Sequence, residues 1–378
     1  MFVTGIGRTK FGILNKSLHE LLYDAIYKAL HDSSRDIEDI DIIIVANFLS
    51  GCTQSQLHLG SVVSSLLPGL NLPAYRIEAA CASGGLAIYQ ALSMSEKFNN
   101  ILVVGGERLN TIPNKDLTKN IAMAGDFLRD QQEGLIFPAQ YAFVASQYFK
   151  KYGATHNDLA LVTLKNYANA SKNPLAHFNY KDISLDTINS SQMICSPLRL
   201  YDCCAISDGA AAIILSREKK TDRDIEIIGA GARTDSISLS NRKDFTGFAS
   251  TRLAAKYAYN MAKIRPKDVD IAELHDCFSI AELIAMEDLG FCKIGEGIGL
   301  IQANETTLSG SLPINTDGGL LGDGHPIGAT GIAQIYEIVE QLRGESKYRQ
   351  IHNAKFGLTH NVGGVGGTAV VLILEGPS

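Results

Sequence analysis

The sequence predicts an α/β protein made of two copies of one unit, layered α/β/α/β/α, with a loop domain inserted in the first copy. Three observations predict this. Short Val/Ile-rich runs alternate with amphipathic stretches about a dozen residues long, the signature of strands alternating with helices. The runs are apolar throughout rather than alternating, which places them in sheets covered on both faces. A motif order also recurs: Asp39-Ile40-Asp41-Ile42 returns 229 positions later as Asp268-Val269-Asp270-Ile271.

In chain order, the opening Gly5-Ile6-Gly7-Arg8-Thr9 has its match in Gly229–Thr234. A helix is expected over Leu18–Leu30 around Ala25 and Ala29, then a strand over Ile42–Ala46. Tyr75–Ile77 reads as a strand, Gly84–Lys97 as a helix and Ile101–Val104 as a strand. Residues from about 107 to 195 have no counterpart in the second copy. Their helical stretches Pro138–Lys151 and Asn157–Ala170 read as a loop domain, a common carrier of binding function on a rigid scaffold. A strand over Ile213–Ser216 closes the first half, 1–221. The second half, 222–378, repeats the plan. Its helix Arg252–Ala262 carries Ala254 and Ala258, and the strand Ile271–Leu274 follows. Helices Ser279–Leu289 and Ile332–Leu342 and the strand Val370–Leu374 complete it. The closing strands correspond, Gly209–Leu215 with Gly367–Ile373, and two separate mixed sheets are expected.

Composition narrows the function class. Hydrophobic residues at 46% and charged residues at 20% exclude intrinsic disorder. Thirty-four basic against forty acidic residues give a net charge of -6 with no basic stripe, so no nucleic-acid partner is expected. The longest apolar runs are strand-sized, so no membrane span is expected. Seven cysteines without a C-x-x-C pair suit a reduced, cytoplasmic protein with neither disulfides nor a structural metal. MFVTGIGRTKFG shows no secretory signal, and EGPS is no peroxisomal address.

Four segments carry chemistry. Cys81, in Ala79-Ala80-Cys81-Ala82-Ser83-Gly84-Gly85-Leu86, stands between a strand and a helix start, where unpaired N–H groups and the helix dipole lower a thiol's pKa. His325, in Gly322-Asp323-Gly324-His325-Pro326-Ile327-Gly328-Ala329-Thr330-Gly331, precedes a helix in the matching place of the second copy. The repeat should therefore bring a cysteine nucleophile and a histidine base face to face. Glu273-Leu274-His275-Asp276-Cys277-Phe278 ends a strand at the edge where ligand crevices form. A helix start capped by Asp276 is the plainer reading of that segment. His360-Asn361-Val362-Gly363-Gly364-Val365-Gly366-Gly367-Thr368, expected between two strands, clusters glycines whose N–H groups can approach an oxyanion. Neither glycine segment has the spacing of a phosphate loop or a dinucleotide fingerprint. Cys203-Cys204 reads as core and turn.

Together these motifs resemble the thiolase superfamily: Cys-Ala-Ser-Gly at 81–84, His-Asp-Cys-Phe at 275–278, Gly-His-Pro-x-Gly-Ala-Thr-Gly at 324–331 and the glycine segment at 361–367, in that order. The resemblance spans essentially the whole chain and implies a thiolase-like fold. The His-Asp-Cys-Phe form is similar to sterol-carrier-protein-type and archaeal-type thiolases; the commonest thiolases have Asn-Glu-Ala-Phe there. One departure stands out. Asn361 occupies the place of the second catalytic Cys of common thiolases, and the resemblance passes that proton-transfer role to Cys277.

The resemblance implies an acyl-CoA C-acyltransferase working by ping-pong Claisen condensation or thiolysis of a 3-ketoacyl-CoA such as acetoacetyl-CoA. Cys81 becomes the acyl-enzyme, assisted by His325. His325 and His275 hold the enolate oxygen, and the backbone N–H groups of Cys81 and Gly363 hold the tetrahedral oxyanion. Coenzyme A thioesters are substrates here, and no cofactor is implied. The stretch Arg242–Arg252 offers charge for CoA phosphates. A homodimer or homotetramer is implied, and a small OB-fold/zinc-ribbon partner is known for archaeal-type members. Two alternatives remain: a C-acyltransferase on a non-CoA acceptor within a complex, and a non-catalytic acyl-CoA-binding subunit, which Asn361 keeps open.

Overall fold

A computed structural model describes residues 1–33, 35–180 and 183–377. Its strands are β1 (Phe2–Arg8), β2 (Ile42–Ala46), β3 (Ala74–Ile77), β4 (Asn100–Glu107), β5 (Met193–Cys195), β6 (Leu198–Arg199), β7 (Gly209–Ser216), β8 (Ile225–Thr234), β9 (Ile271–Glu273), β10 (Phe356–Gly363) and β11 (Thr368–Glu375). Strands β5 and β6 pair only with each other. The other nine form one sheet in the order β3-β2-β4-β7-β1-β8-β11-β10-β9.

The duplication is visible in that order. In the first half β2 runs parallel to β3 and β4, while β4–β7 and β7–β1 are antiparallel. In the second, β9 is parallel to β10, while β10–β11 and β11–β8 are antiparallel. The place of β3 is taken by a single parallel bridge between Ile314 and Ala272. The expectation of two separate sheets is corrected. Phe2 pairs with Glu226 and Val3 with Ile225, fusing the halves edge to edge. The start of β1 thereby satisfies backbone groups that an edge strand would leave open.

Helices give the layers. Leu18–Asp32 covers the outer face of the first half. Ser17 caps it in a reciprocal box with Glu20, and its buried positions 18, 21, 22, 25, 26 and 29 form one apolar stripe. Ala249–Ala262 covers the outer face of the second half. Ser83–Ser93 and Thr330–Leu342 lie between the halves and touch strands of both. The insertion comes from the first copy but packs on the second: its helices Phe137–Tyr152 and His156–Ala170 lie against Ser279–Asp288.

The two central helices meet at their N-terminal ends. A Cβ on Gly331 would lie 2.3 Å from the backbone N of Gly85, and one on Gly84 would lie 2.9 Å from the N of Gly331. Only glycine permits that approach, and it draws the segments just ahead of both helices into one place. The glycine-rich segment is also re-placed. His360–Gly363 belongs to β10 itself, and only residues 364–367 turn into β11.

Candidate active site

Each site residue is delivered by a short, pinned segment. Ala80 has φ 50°, a left-handed backbone that an alanine seldom adopts, and the turn it makes sets Cys81 just ahead of the helix Ser83–Ser93. The Ser83 hydroxyl holds this turn, accepting from the Ala79 N–H at 2.9 Å and donating to the Ala80 carbonyl at 2.6 Å. His325 stands ahead of Thr330–Leu342. Its N–H donates to the Ser207 Oγ at 3.2 Å, and its Nδ1 lies 2.7 Å from the Thr330 Oγ1.

Cys81 and His325 line one cleft with Cys277, a cavity of about 230 Å³. The insertion supplies its apolar wall, including Ile121, Phe137 and Ile194. His275 sits behind His325, its ring centroid 5.3 Å away and nearly perpendicular. One ligating atom from each of Cys81, His275 and His325 lies within 4.8 Å of the other two. The structure thus brings the four expected side chains together, although they come from three distant stretches of chain.

The rest of the His275 segment turns elsewhere. Glu273 accepts from the Thr316 N–H and hydroxyl at 2.8 Å. Asp276 takes the Leu320 N–H at 2.6 Å and the Asn166 amide at 2.7 Å. Asp276 therefore ties a second-half loop to the insertion and does not cap the helix Ser279–Asp288, whose own N-cap is Phe278 without a side-chain bond.

Electrostatics correct one expectation. Cys81 is not a thiolate at rest: its pKa is pushed up to about 12, first by burial in an apolar cleft, with Glu107 and Glu78 adding to the rise. The N–H groups of Gly364 and of Cys81 bond its sulfur and pull the other way without prevailing. Burial pushes His325 down to about 3, so the two meet as thiol and neutral imidazole. Cys277 lies well above the usual thiol range, again through burial, and its sulfur hydrogen-bonds with the Tyr141 hydroxyl.

Several site residues were missed in the sequence. Cys203 and Cys204, read there as core and turn, both line the cleft. Ser207, three residues on, holds His325. Tyr141, from the insertion, donates to the Gly364 carbonyl at 3.0 Å and stacks on Phe278. Nothing in their spacing announces them, because each meets the site across more than about seventy residues of sequence. The arginines of 242–252 are spent internally. Arg242 bonds the Ser236 and Val365 carbonyls, and Arg252 pairs with Asp288 at 2.6 Å.

Comparison with known proteins adds the family. Residues 1–219 match the model "Thiolase, N-terminal domain", and residues 231–376 match "Thiolase C-terminal domain-like". The chain belongs to the thiolase family. It is 40% identical over 380 residues to an acetyl-CoA acetyltransferase of Methanothermobacter thermautotrophicus, covering 99% of this chain and 98% of that one. It is 32% identical to the benzoylsuccinyl-CoA thiolase subunit BbsB of Thauera aromatica, covering 96% and 94%. Among solved structures, the Ltp2–ChsH2(DUF35) aldolase superposes with a TM-score of 0.85 at 25% identity, covering 100% of this chain and 97% of that one. This thiolase is an acyltransferase. Among the described residues no helix is long and apolar enough to cross a membrane.

Proposed function

We propose that the protein is an acyl-CoA C-acyltransferase of the acetyl-CoA acetyltransferase type, working through an acyl-enzyme on Cys81. The observation that carries this reading is the convergence of Cys81, His325 and Cys277 at one cleft, with His275 packed against His325. The 40% identity with the Methanothermobacter acetyl-CoA acetyltransferase supports the choice of substrate.

The chemistry follows from the resting protonation states. The Cys81 thiol gives its proton to His325 as the sulfur attacks the thioester carbonyl. The N–H groups of Cys81 and Gly363 hold the oxygen of the tetrahedral intermediate, with the Gly364 N–H beside them at the Cys81 sulfur. The departing CoA thiolate takes a proton from Cys277. That leaves Cys277 as the base and His325 protonated. Cys277 then removes the α-proton of a second acyl-CoA, whose enolate oxygen is held by His275 and His325. The enolate carbon attacks the acyl-Cys81 carbonyl. The 3-ketoacyl-CoA leaves, and the Cys81 sulfur recovers its proton from His325. Every group returns to its starting state, and thiolysis runs the same steps backwards.

Incubation with acetyl-CoA should add one acetyl group to the peptide containing Cys81, and Cys81→Ala should abolish both label and turnover. Full activity in Cys81→Ala, or acetyl on another residue, would overturn the assignment. We further infer a homo-oligomer. The fold shared with a thiolase-like chain solved beside a DUF35 protein supports a small OB-fold/zinc-ribbon partner, which co-purification would test.

A further inference from the structure

We propose that Asn361, which stands where common thiolases carry a second catalytic cysteine, is a positioning residue that locks His275 in the tautomer with its proton on Nε2, the ring nitrogen that Asn361 does not touch. This rests on the thiolase reading above, because it assigns the hydrogen-bond donor for the enolate oxygen.

The orientation of the Asn361 amide is fixed by partners that leave no choice. Its Oδ1 accepts from the backbone N–H of Gly85 at 3.0 Å, and a backbone N–H can only donate. Its Nδ2 lies 3.0 Å from the Cys81 carbonyl, which can only accept. The second hydrogen on Nδ2 then faces the Nδ1 of His275 at 3.2 Å. That nitrogen must present a lone pair, so the single proton of the neutral ring sits on Nε2. Turning the amide over would break both backbone bonds at once. The Nε2 of His275 is buried and has no hydrogen-bond partner among the described residues, and His275 is 1% exposed. A buried N–H without an acceptor is costly, so an acceptor supplied by substrate fits it.

His325 is set the opposite way. The Thr330 hydroxyl donates to the Pro326 carbonyl at 3.1 Å, so at 2.7 Å it accepts from the His325 Nδ1–H. The Nε2 of His325, also buried and unpartnered, is left with its lone pair. His325 can therefore take the Cys81 proton and become a donor later. His275 receives no proton in the cycle, so only its tautomer makes it a donor. The neutral state of His275 agrees, since burial and the neighbouring histidines hold its pKa well below the usual range.

The test uses the full chain. Long-range proton–nitrogen NMR of imidazole-labelled protein, with His275→Asn for assignment, should show the His275 proton on Nε2. Asn361→Asp replaces the donating amide with an isosteric acceptor, which should move that proton to Nδ1. Exchange of the α-hydrogens of acetyl-CoA with deuterated water should then fall by about 10²-fold, the usual effect of losing one oxyanion donor. Acylation of Cys81 should fall clearly less than exchange, because Asn361 meets the Cys81 backbone carbonyl and not its sulfur, and His325 keeps its bond to Thr330. In the His275→Asn background, where the amide donates whatever stands at 361, Asn361→Asp should have little effect on exchange. A wild-type His275 protonated on Nδ1 would overturn the proposal, even if the Asp variant failed to fold. So would equal losses of acylation and exchange, or an equal Asn361→Asp effect in the His275→Asn background. The spectrum needs no substrate, so failure of acetyl-CoA to acylate Cys81 would strike the thiolase reading separately.

Discussion

Cys81 and His325 face each other uncharged, and the reactivity of the sulfur should show it. Because the thiol pKa is raised to about 12, the thiolate fraction grows about tenfold for each pH unit across the neutral range. Alkylation by iodoacetamide should be slow at neutral pH and climb through pH 9 without a plateau; a plateau near neutrality would mean that His325 already holds the proton. Slow alkylation therefore does not mark a non-catalytic subunit. Acylation by a bound thioester, with His325 taking the proton during attack, is the informative assay. A second residue-scale expectation concerns Tyr141, whose hydroxyl lies between the Gly364 carbonyl and the Cys277 sulfur. Tyr141→Phe should leave a buried carbonyl unsatisfied, costing about 1–3 kcal/mol in denaturant unfolding. It should also slow α-hydrogen exchange more than Cys81 acylation, since of the two cysteines only Cys277 loses a side-chain partner. The sequence pointed to Cys81, His275, Cys277 and His325. It could not give their charge states, which depend on how many atoms stand between each group and water.

The elements that carry these residues were legible to different degrees. Ile42–Ala46 is a strand with the same ends as expected, because all five residues are apolar and buried. The helices around Leu18 and Ile332 were plain from their stripes. Strands β1 and β8 were matched as openings without being read as strands, because their alternating glycines interrupt the apolar run. Strand β10 was obscured by Thr359, His360 and Asn361, polar residues placed in it for the site. The critical contact between elements is the crossing of the two central helix starts. Gly331→Ala would push a methyl group into the backbone of Gly85. The expected outcome is destabilisation of about 1–3 kcal/mol by overpacking, with loss of acylation as Cys81 and His325 separate. Equal stability and activity in this variant, measured by urea unfolding and acetyl transfer, would refute the crossing.

At the scale of the whole molecule, the halves are joined by more than the edge pairing of β1 and β8. Arg8, in the first strand, places its Nη2 2.9 Å from both carboxylate oxygens of Asp323, two residues before His325. Both partners are almost fully buried, and Asn173 of the insertion bonds the same carboxylate at 3.1 Å. Arg8→Met should cost about 3–5 kcal/mol by leaving a buried carboxylate unpaired, and should displace the loop that carries His325. Thermal unfolding and Cys81 acylation should fall together in this variant; normal acylation would show that the clamp does not position the loop.

The sequence by itself determined the α/β plan and singled out the insertion and the four candidate side chains that the fold brings together, because periodicity, repetition and motif order are written along the chain. Only the tertiary structure decided that the insertion folds over the other half, that Cys204 and Tyr141 line the cleft while Ser207 holds His325, and that the two sheets share an edge. It also decided that the Asn361 amide lies against His275. Those outcomes depend on which groups meet across hundreds of residues and on which are shut off from water. Distance and burial are properties of the folded chain that no local pattern of residues encodes.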